Sequence, residues 1–170
     1  IFKKYDKALR VALISILNVG MEDPSWEQCS LPVRMGGLGI RTASEVSLPA
    51  YLSSVSATFE CITPLLPTYL RNDVNPFFTQ AIFQWSNLLS GEDLPVLKSV
   101  QAAWDMPLCK KRFENLLQSA NTDEDKARLR AVSSEHASDW LNCVPLPSMS
   151  LKLNRQTLRI AVALRLGSKI

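Results

Sequence analysis

The sequence predicts an all-α fold, an irregular bundle of about six to eight helices with an ordered glycine-rich loop. Three observations predict it. Apolar residues recur three and four positions apart along most of the 170 residues, helix start and stop residues punctuate these runs, and no run of alternating β-branched residues rivals them. A hydrophobic content of 46% supplies a core for one compact domain or two small helical lobes.

Taken in order, the first run extends from Phe2 to Leu17, where Leu9, Ala12, Leu13, Ile16 and Leu17 share one face and Gly20 is placed to stop the helix. Asp23 then stands as an N-cap before Pro24, opening a brief helical turn that carries Trp26. From Leu31 to Arg41 there is no helical period, and Gly36, Gly37 and Gly39 predict an ordered loop that needs positive φ or close backbone approach. Thr42-Ala43-Ser44-Glu45 matches a capping box and opens a helix to about Thr63, which Pro64 and Pro67 end.

The aromatic stretch Asn75 to Leu89 places Phe78, Ile82, Trp85 and Leu89 at helical spacing, with Gly91 closing it. Helices are expected at Leu94 to Trp104 and at Pro107 to Ser119, the second with proline at its first position. Thr122 caps an acidic first turn, Asp123-Glu124-Asp125, of a helix through Leu141. Val144-Pro145-Leu146-Pro147-Ser148 reads as an extended connector, and Asn154 caps a last helix that Gly167 stops. This reading divides the chain at 1–63, 64–143 and 144–170.

The net charge of +3 is unevenly spread. Residues 1–41 carry six basic against four acidic side chains, residues 42–125 five against ten, and residues 126–170 eight against two. A basic tail after an acidic middle marks either an anion-binding surface or two segments that neutralise each other. No run approaches the roughly 18 apolar residues of a membrane span, so no membrane role is expected. Cys29, Cys61, Cys109 and Cys143 are too widely spaced for a metal motif and read as thiols of a reducing, intracellular compartment, nucleus or cytoplasm. Ile1 in place of a start Met, and a last segment ending just past Gly167, give the expectation of a piece of a longer polypeptide.

Little in the chain converges on catalysis. His136 stands between Glu135 and Ala137 with no nucleophile motif, and Glu22-Asp23, Glu92-Asp93 and Asp123-Glu124-Asp125 all lie at expected helix starts, where acidic residues suit the dipole. The glycine loop lacks the Lys-Ser/Thr of a phosphate-binding loop and follows no strand. Arg34 and Arg41 flank it as candidates for a phosphate backbone. Arg155 and Arg159 lie one turn apart, with Lys152 before and Arg165 and Lys169 after, forming either a ridge for phosphates or a solvated face.

Trp26, Gln28, Leu31-Pro32 and Gly36-Gly37-Leu38-Gly39-Ile40-Arg41 together make the pattern W-x-Q-x-x-L-P-x-x-x-G-G-L-G-I-R. It resembles the segment after the polymerase core in reverse-transcriptase-like proteins of invertebrate mobile elements, as do the Ala/Ser-rich stretch from Ala43 to Ala57 and the run Leu158 to Gly167. The resemblance implies a thumb-like first helix, with Lys3, Lys4, Lys7 and Arg10 as nucleic-acid contacts. It also implies a structural role for Trp26, Leu31, Pro32, Gly36, Gly37, Gly39 and Ile40, with Trp26, Leu31 and Ile40 packing the turn after the first helix against the helix after Arg41. The family's catalytic Tyr-x-Asp-Asp element is missing, Tyr5-Asp6 matching only its start. The expectation is a non-catalytic thumb or connector region with no cofactor and no metal, whose partners are the rest of the polypeptide and RNA or DNA. The alternative is a helical protein-interaction module using the stripe Phe78, Ile82, Trp85 and Leu89.

Overall fold

The computed structural model describes residues 1–70, 76–90, 93–96 and 98–169; Asn75, Gly91 and Glu92, assigned above to a helix start, a helix stop and an acidic pair, lie outside them. Among the described residues there are eight α-helices and no strand, in agreement with the all-α fold that the periodicity predicts. They are α1 (Phe2–Leu17), α2 (Asp23–Ser30), α3 (Ala43–Ile62), α4 (Pro76–Leu88), α5 (Gln101–Ser119), α6 (Asp123–Val132), α7 (Asp139–Asn142) and α8 (Arg155–Leu166). The chain divides into two compact units, one made of Ile1–Thr42 with Arg112–Ile170 and one of Ala43–Lys111.

In the Ala43–Lys111 unit the core is Leu52, Ala81, Trp85, Leu89 and Trp104, with Leu48, Phe78, Ile82 and Leu108 packed against it. The two tryptophan rings meet edge to face, centroids 5.2 Å apart at 84°. Each indole N–H has an acceptor: Trp85 Nε1 donates to Trp104 O at 2.9 Å and Trp104 Nε1 to Lys98 O at 2.7 Å. The aromatic stripe is therefore interior.

Residues 93–96 and 98–100 are not helical, and the two helices expected around Trp104 and Pro107 are one, α5, with Pro107 inside it. An interior proline removes one helical donor and crowds the preceding turn at a cost of about 3 kcal/mol. Complete burial of Trp104 and Cys109 on either side of it is of a size to offset that. In α3, Ser53 and Ser56 are buried, and the hydroxyls of Ser53, Ser56 and Thr58 donate to Ala50 O, Leu52 O and Ser54 O. The helix satisfies its own polar side chains, which lets small hydroxyl residues lie in an apolar interior.

In the other unit α1 has the expected bounds, but its stop is Asn18, left-handed at φ 50 with its N–H on Ile14 O, and not Gly20. The N-cap of α2 is Glu22 rather than Asp23. Thr122 Oγ1 accepts from Asp125 N at 3.1 Å as a capping residue should. The helix it opens ends at Val132 and not at Leu141, because Ser133 and Ser134 turn their hydroxyls back onto Arg130 O and Ala131 O and His136 adopts φ 65. Only the short α7 follows.

At α8 both expected ends are in place. Asn154 Oδ1 accepts from Thr157 N, and Gly167, at φ 63, closes a Schellman turn in which Ser168 N–H reaches Ala163 O and Gly167 N–H reaches Leu164 O. This unit's core joins Met21, Cys29, Val162 and Leu166, covered by Leu13, Ile14, Leu17, Trp26, Leu38, Ile40 and Trp140.

Candidate functional site

The Leu31–Arg41 loop folds back on the end of α2. A 3₁₀ turn at Val33–Met35 reverses the chain, after which Gly37 N–H bonds to Pro32 O, Leu38 N–H to Cys29 O and Gly39 N–H to Leu31 O. Gly36 and Gly39 take φ of 84° and 71°, which glycine adopts without strain. Gly37 is required for a different reason: a Cβ there would lie 2.0 Å from Leu31 O. Gly37→Ala is expected to cost about 3 kcal/mol through backbone displacement, read as a lower midpoint in urea.

The loop's carbonyls are held by a buried arginine. Arg165, only 4% exposed, donates from Nη2 to Val33 O (2.7 Å) and Ser138 Oγ (2.7 Å), from Nε to Gly37 O (3.1 Å) and from Nη1 to Ala137 O (3.2 Å). Ser138 Oγ in turn donates to Val33 O at 2.7 Å. Four neutral oxygens thus surround one guanidinium, whose pKa burial lowers.

A second knot sits one peptide away. Gln28 Nε2 donates to Gly36 O and Arg165 O, both at 2.9 Å, and Arg128 Nη1 donates to Gln28 Oε1 (2.8 Å) and Arg165 O (2.6 Å). Burial lowers the Arg128 pKa, and Asp125, 3.6 Å from its Nε, opposes that shift. Ser25 Oγ donates to Leu166 O at 3.2 Å. Side chains of α2 and α6 therefore satisfy two of the carbonyls that a helix C-terminus leaves open, here those of α8.

The residues singled out in the sequence separate into two groups. Leu31, Gly36 and Gly37 are buried, Trp26, Pro32 and Ile40 are half-buried and Gly39 is exposed. Trp26 and Ile40 pack with Leu13, Ile14 and Leu17 of α1, Trp140 of α7 and Val162 and Leu166 of α8. Arg10 is spent internally: Nη1 meets Asp23 Oδ1 at 2.7 Å, Nη2 meets Met21 O at 2.6 Å, and the guanidinium lies 5.8 Å from the Trp26 ring centroid. Lys3, Lys4 and Lys7 stand exposed on the first two turns of α1. Arg34 is exposed on the 3₁₀ turn, Arg41 half-buried after the loop, Arg155 exposed and Arg159 half-buried at the start of α8. Arg165 has left the basic ridge for the interior.

Gln28, Arg128 and Arg165 are the polar residues that carry the clasp, and sequence reasoning gave none of them that role. One signal was present: Arg165 lies on the same helical stripe as Leu158 and Val162, where a charge facing inward needs acceptors. His136, exposed in the turn before α7, places Nδ1 3.0 Å from Asp139 Oδ2. Among the described residues no group of three or more His, Cys, Asp or Glu side chains could hold a metal ion, and no helix is long and apolar enough to cross a membrane.

None of the four cysteines is in a disulfide; Cys29 and Cys109 are buried, Cys61 and Cys143 exposed. Burial pushes the Cys29 thiol up to about 12. With Ellman's reagent at pH 8, Cys61 and Cys143 are expected to react in a fast phase that Cys61→Ser/Cys143→Ser removes, while Cys29 reacts only on unfolding. Because the folded thiol holds its proton more tightly than the unfolded one, Cys29 contributes stability that is fully present below pH 9 and is lost as pH rises from there towards 12.

Comparison of the chain with protein-family models, with curated proteins and with solved structures gives no match.

Proposed function

We propose that this chain is a non-catalytic helical thumb or connector region of a reverse-transcriptase-like polypeptide, supporting the polymerase core and holding a nucleic-acid backbone along the start of α1. The observation that carries the reading is the fate of the Trp26–Arg41 pattern: its glycines, Gln28 and the loop carbonyls are consumed in a buried clasp with Arg165. A motif spent on fixing the loop belongs to a support region. The exposed Lys3, Lys4 and Lys7 supply the cations within two helical turns, a spacing suited to successive phosphates.

The test is anisotropy of labelled single strand, duplex and RNA–DNA hybrid with the whole chain across salt concentrations. Binding is expected to weaken linearly in log salt, and Lys3→Glu/Lys4→Glu/Lys7→Glu to reduce the slope on duplex by about 3, near 0.9 for each lost phosphate contact. A folded chain that binds none of the three probes at low salt would sink the proposal.

One observation favours a second reading, a protein-interaction module. Phe77 and Phe83 of α4 are 71% and 67% exposed, although the stripe first considered for docking is core. Partner binding that Phe83→Ser abolishes and salt does not affect would select it.

A further inference from the structure

We infer that the groove between the end of α1 and the start of α8 is a docking site for an acidic amphipathic helix of a partner protein, a site separate from the lysines of α1. The groove encloses about 830 Å³ and is lined by Ile16, Leu17 and Leu158 as its aliphatic part and by Arg155 and Arg159 as its charged part; no acidic side chain is among the described residues lining it.

Its origin lies in the helix pattern. Leu158 and Arg159 stand four and three residues before Val162 and so lie on the same face of α8, the face that buries Val162 and Leu166 in the core. That inward face runs on for more than a turn beyond the packed interior, and the opposing residue of α1, Ile16, remains 72% exposed. An apolar stripe continuous with a core, left open and framed by two guanidiniums, is the receptor half of a helix-in-groove contact.

Charge and shape choose the occupant. Arg159 is half-buried, and its Nε is closed to solvent with no hydrogen-bond acceptor among the described residues. The groove carries two guanidiniums, that of Arg155 exposed, whose charge no described lining residue offsets, and a carboxylate matches a guanidinium in both charge and geometry. A nucleic-acid strand also offers anions, but sequence-tolerant strand binding relies on aromatic platforms for base stacking, and no aromatic side chain is among the described residues lining the groove. Aliphatic walls suit Leu or Ile side chains on one face of a helix, with Asp or Glu beside them reaching Arg155 and Arg159. Helix geometry separates this site from the other cationic one: Lys4 and Ile16 stand about 18 Å apart along α1.

The experiment pans a displayed library of random 16-residue peptides against the whole chain, then measures the recovered peptides by anisotropy. Peptides enriched in Leu or Ile at helical spacing and in Asp or Glu are expected, binding at least 10-fold more weakly to Arg155→Glu/Arg159→Glu and to Ile16→Asp. Circular dichroism of both variants establishes that they are folded, and their exposed or half-exposed sites make folding a fair demand. Lys3→Glu/Lys4→Glu/Lys7→Glu is expected to leave peptide binding unchanged. No enrichment, or peptides that bind the arginine variant as well as the parent, would overturn the inference. So would an oligothymidylate of twelve nucleotides that binds the parent, loses that binding in the arginine variant and displaces no peptide.

Discussion

Replacing Arg165 with alanine is expected to cost roughly 3 to 5 kcal/mol, because three loop and turn carbonyls and one hydroxyl each lose a donor while the aliphatic stem leaves a cavity. Val33 O keeps Ser138 Oγ and the Gly36 N–H as donors, so the penalty falls chiefly on Gly37 O and Ala137 O, which lose the Arg165 donor. Arg165→Met separates the two contributions. It keeps most of the volume but donates nothing, and is expected to recover only the cavity part, about a third of the loss. Urea unfolding followed by circular dichroism reads both variants. Near-parental stability for the methionine variant would mean that the interior values the stem and not the bonds.

Trp85→Ala is the second large effect, expected at about 3 to 5 kcal/mol, since the indole is fully buried at the centre of its core cluster and its removal also strips the edge-to-face partner from Trp104. Trp85→Phe keeps most of the ring but not the N–H that bonds to Trp104 O, and is expected to cost about 1 kcal/mol for the bond beyond the packing change. Near-ultraviolet circular dichroism adds an independent reading, because the band arising from two perpendicular indoles 5.2 Å apart should fall sharply in both variants. A retained band in Trp85→Ala would contradict the assigned ring pair.

The helical character of the chain was legible because its signals are local. The bounds of α1, the Thr122 and Asn154 caps and the Gly167 stop all depend on residues within four positions of one another, and each stands where the pattern placed it. Helix breaks were less legible. Whether Pro107 starts a helix or lies inside one is decided by Trp104 and Cys109, whose burial depends on other helices, and the end of α6 at Val132 turns on Ser133 and Ser134 bonding back to Arg130 O and Ala131 O, a choice that the periodicity does not show.

The same division holds for the site. Glycines at 36, 37 and 39 announced a tight loop, but what the loop is tied to lies 128 residues away at Arg165 and 100 residues separate Gln28 from Arg128. Arginine was read as a surface cation by its type. Its helical phase with Leu158 and Val162 carried the opposite message, and phase was the better guide.

The two units also differ in when they can form. The tryptophan bonds of the Ala43–Lys111 unit span 19 and 6 residues, and its core, Leu52 to Trp104, draws on one continuous stretch of chain. The clasp does not: joining Gly37 to Arg165 closes a loop of 128 residues, an entropic cost of about 4 kcal/mol before any bond repays it. During synthesis the glycine loop must wait, its carbonyls hydrated, until α8 is made. Folding of that unit is therefore a late, slow event set by chain topology, and a ribosome paused between α7 and α8 would carry one finished unit and one unfinished one.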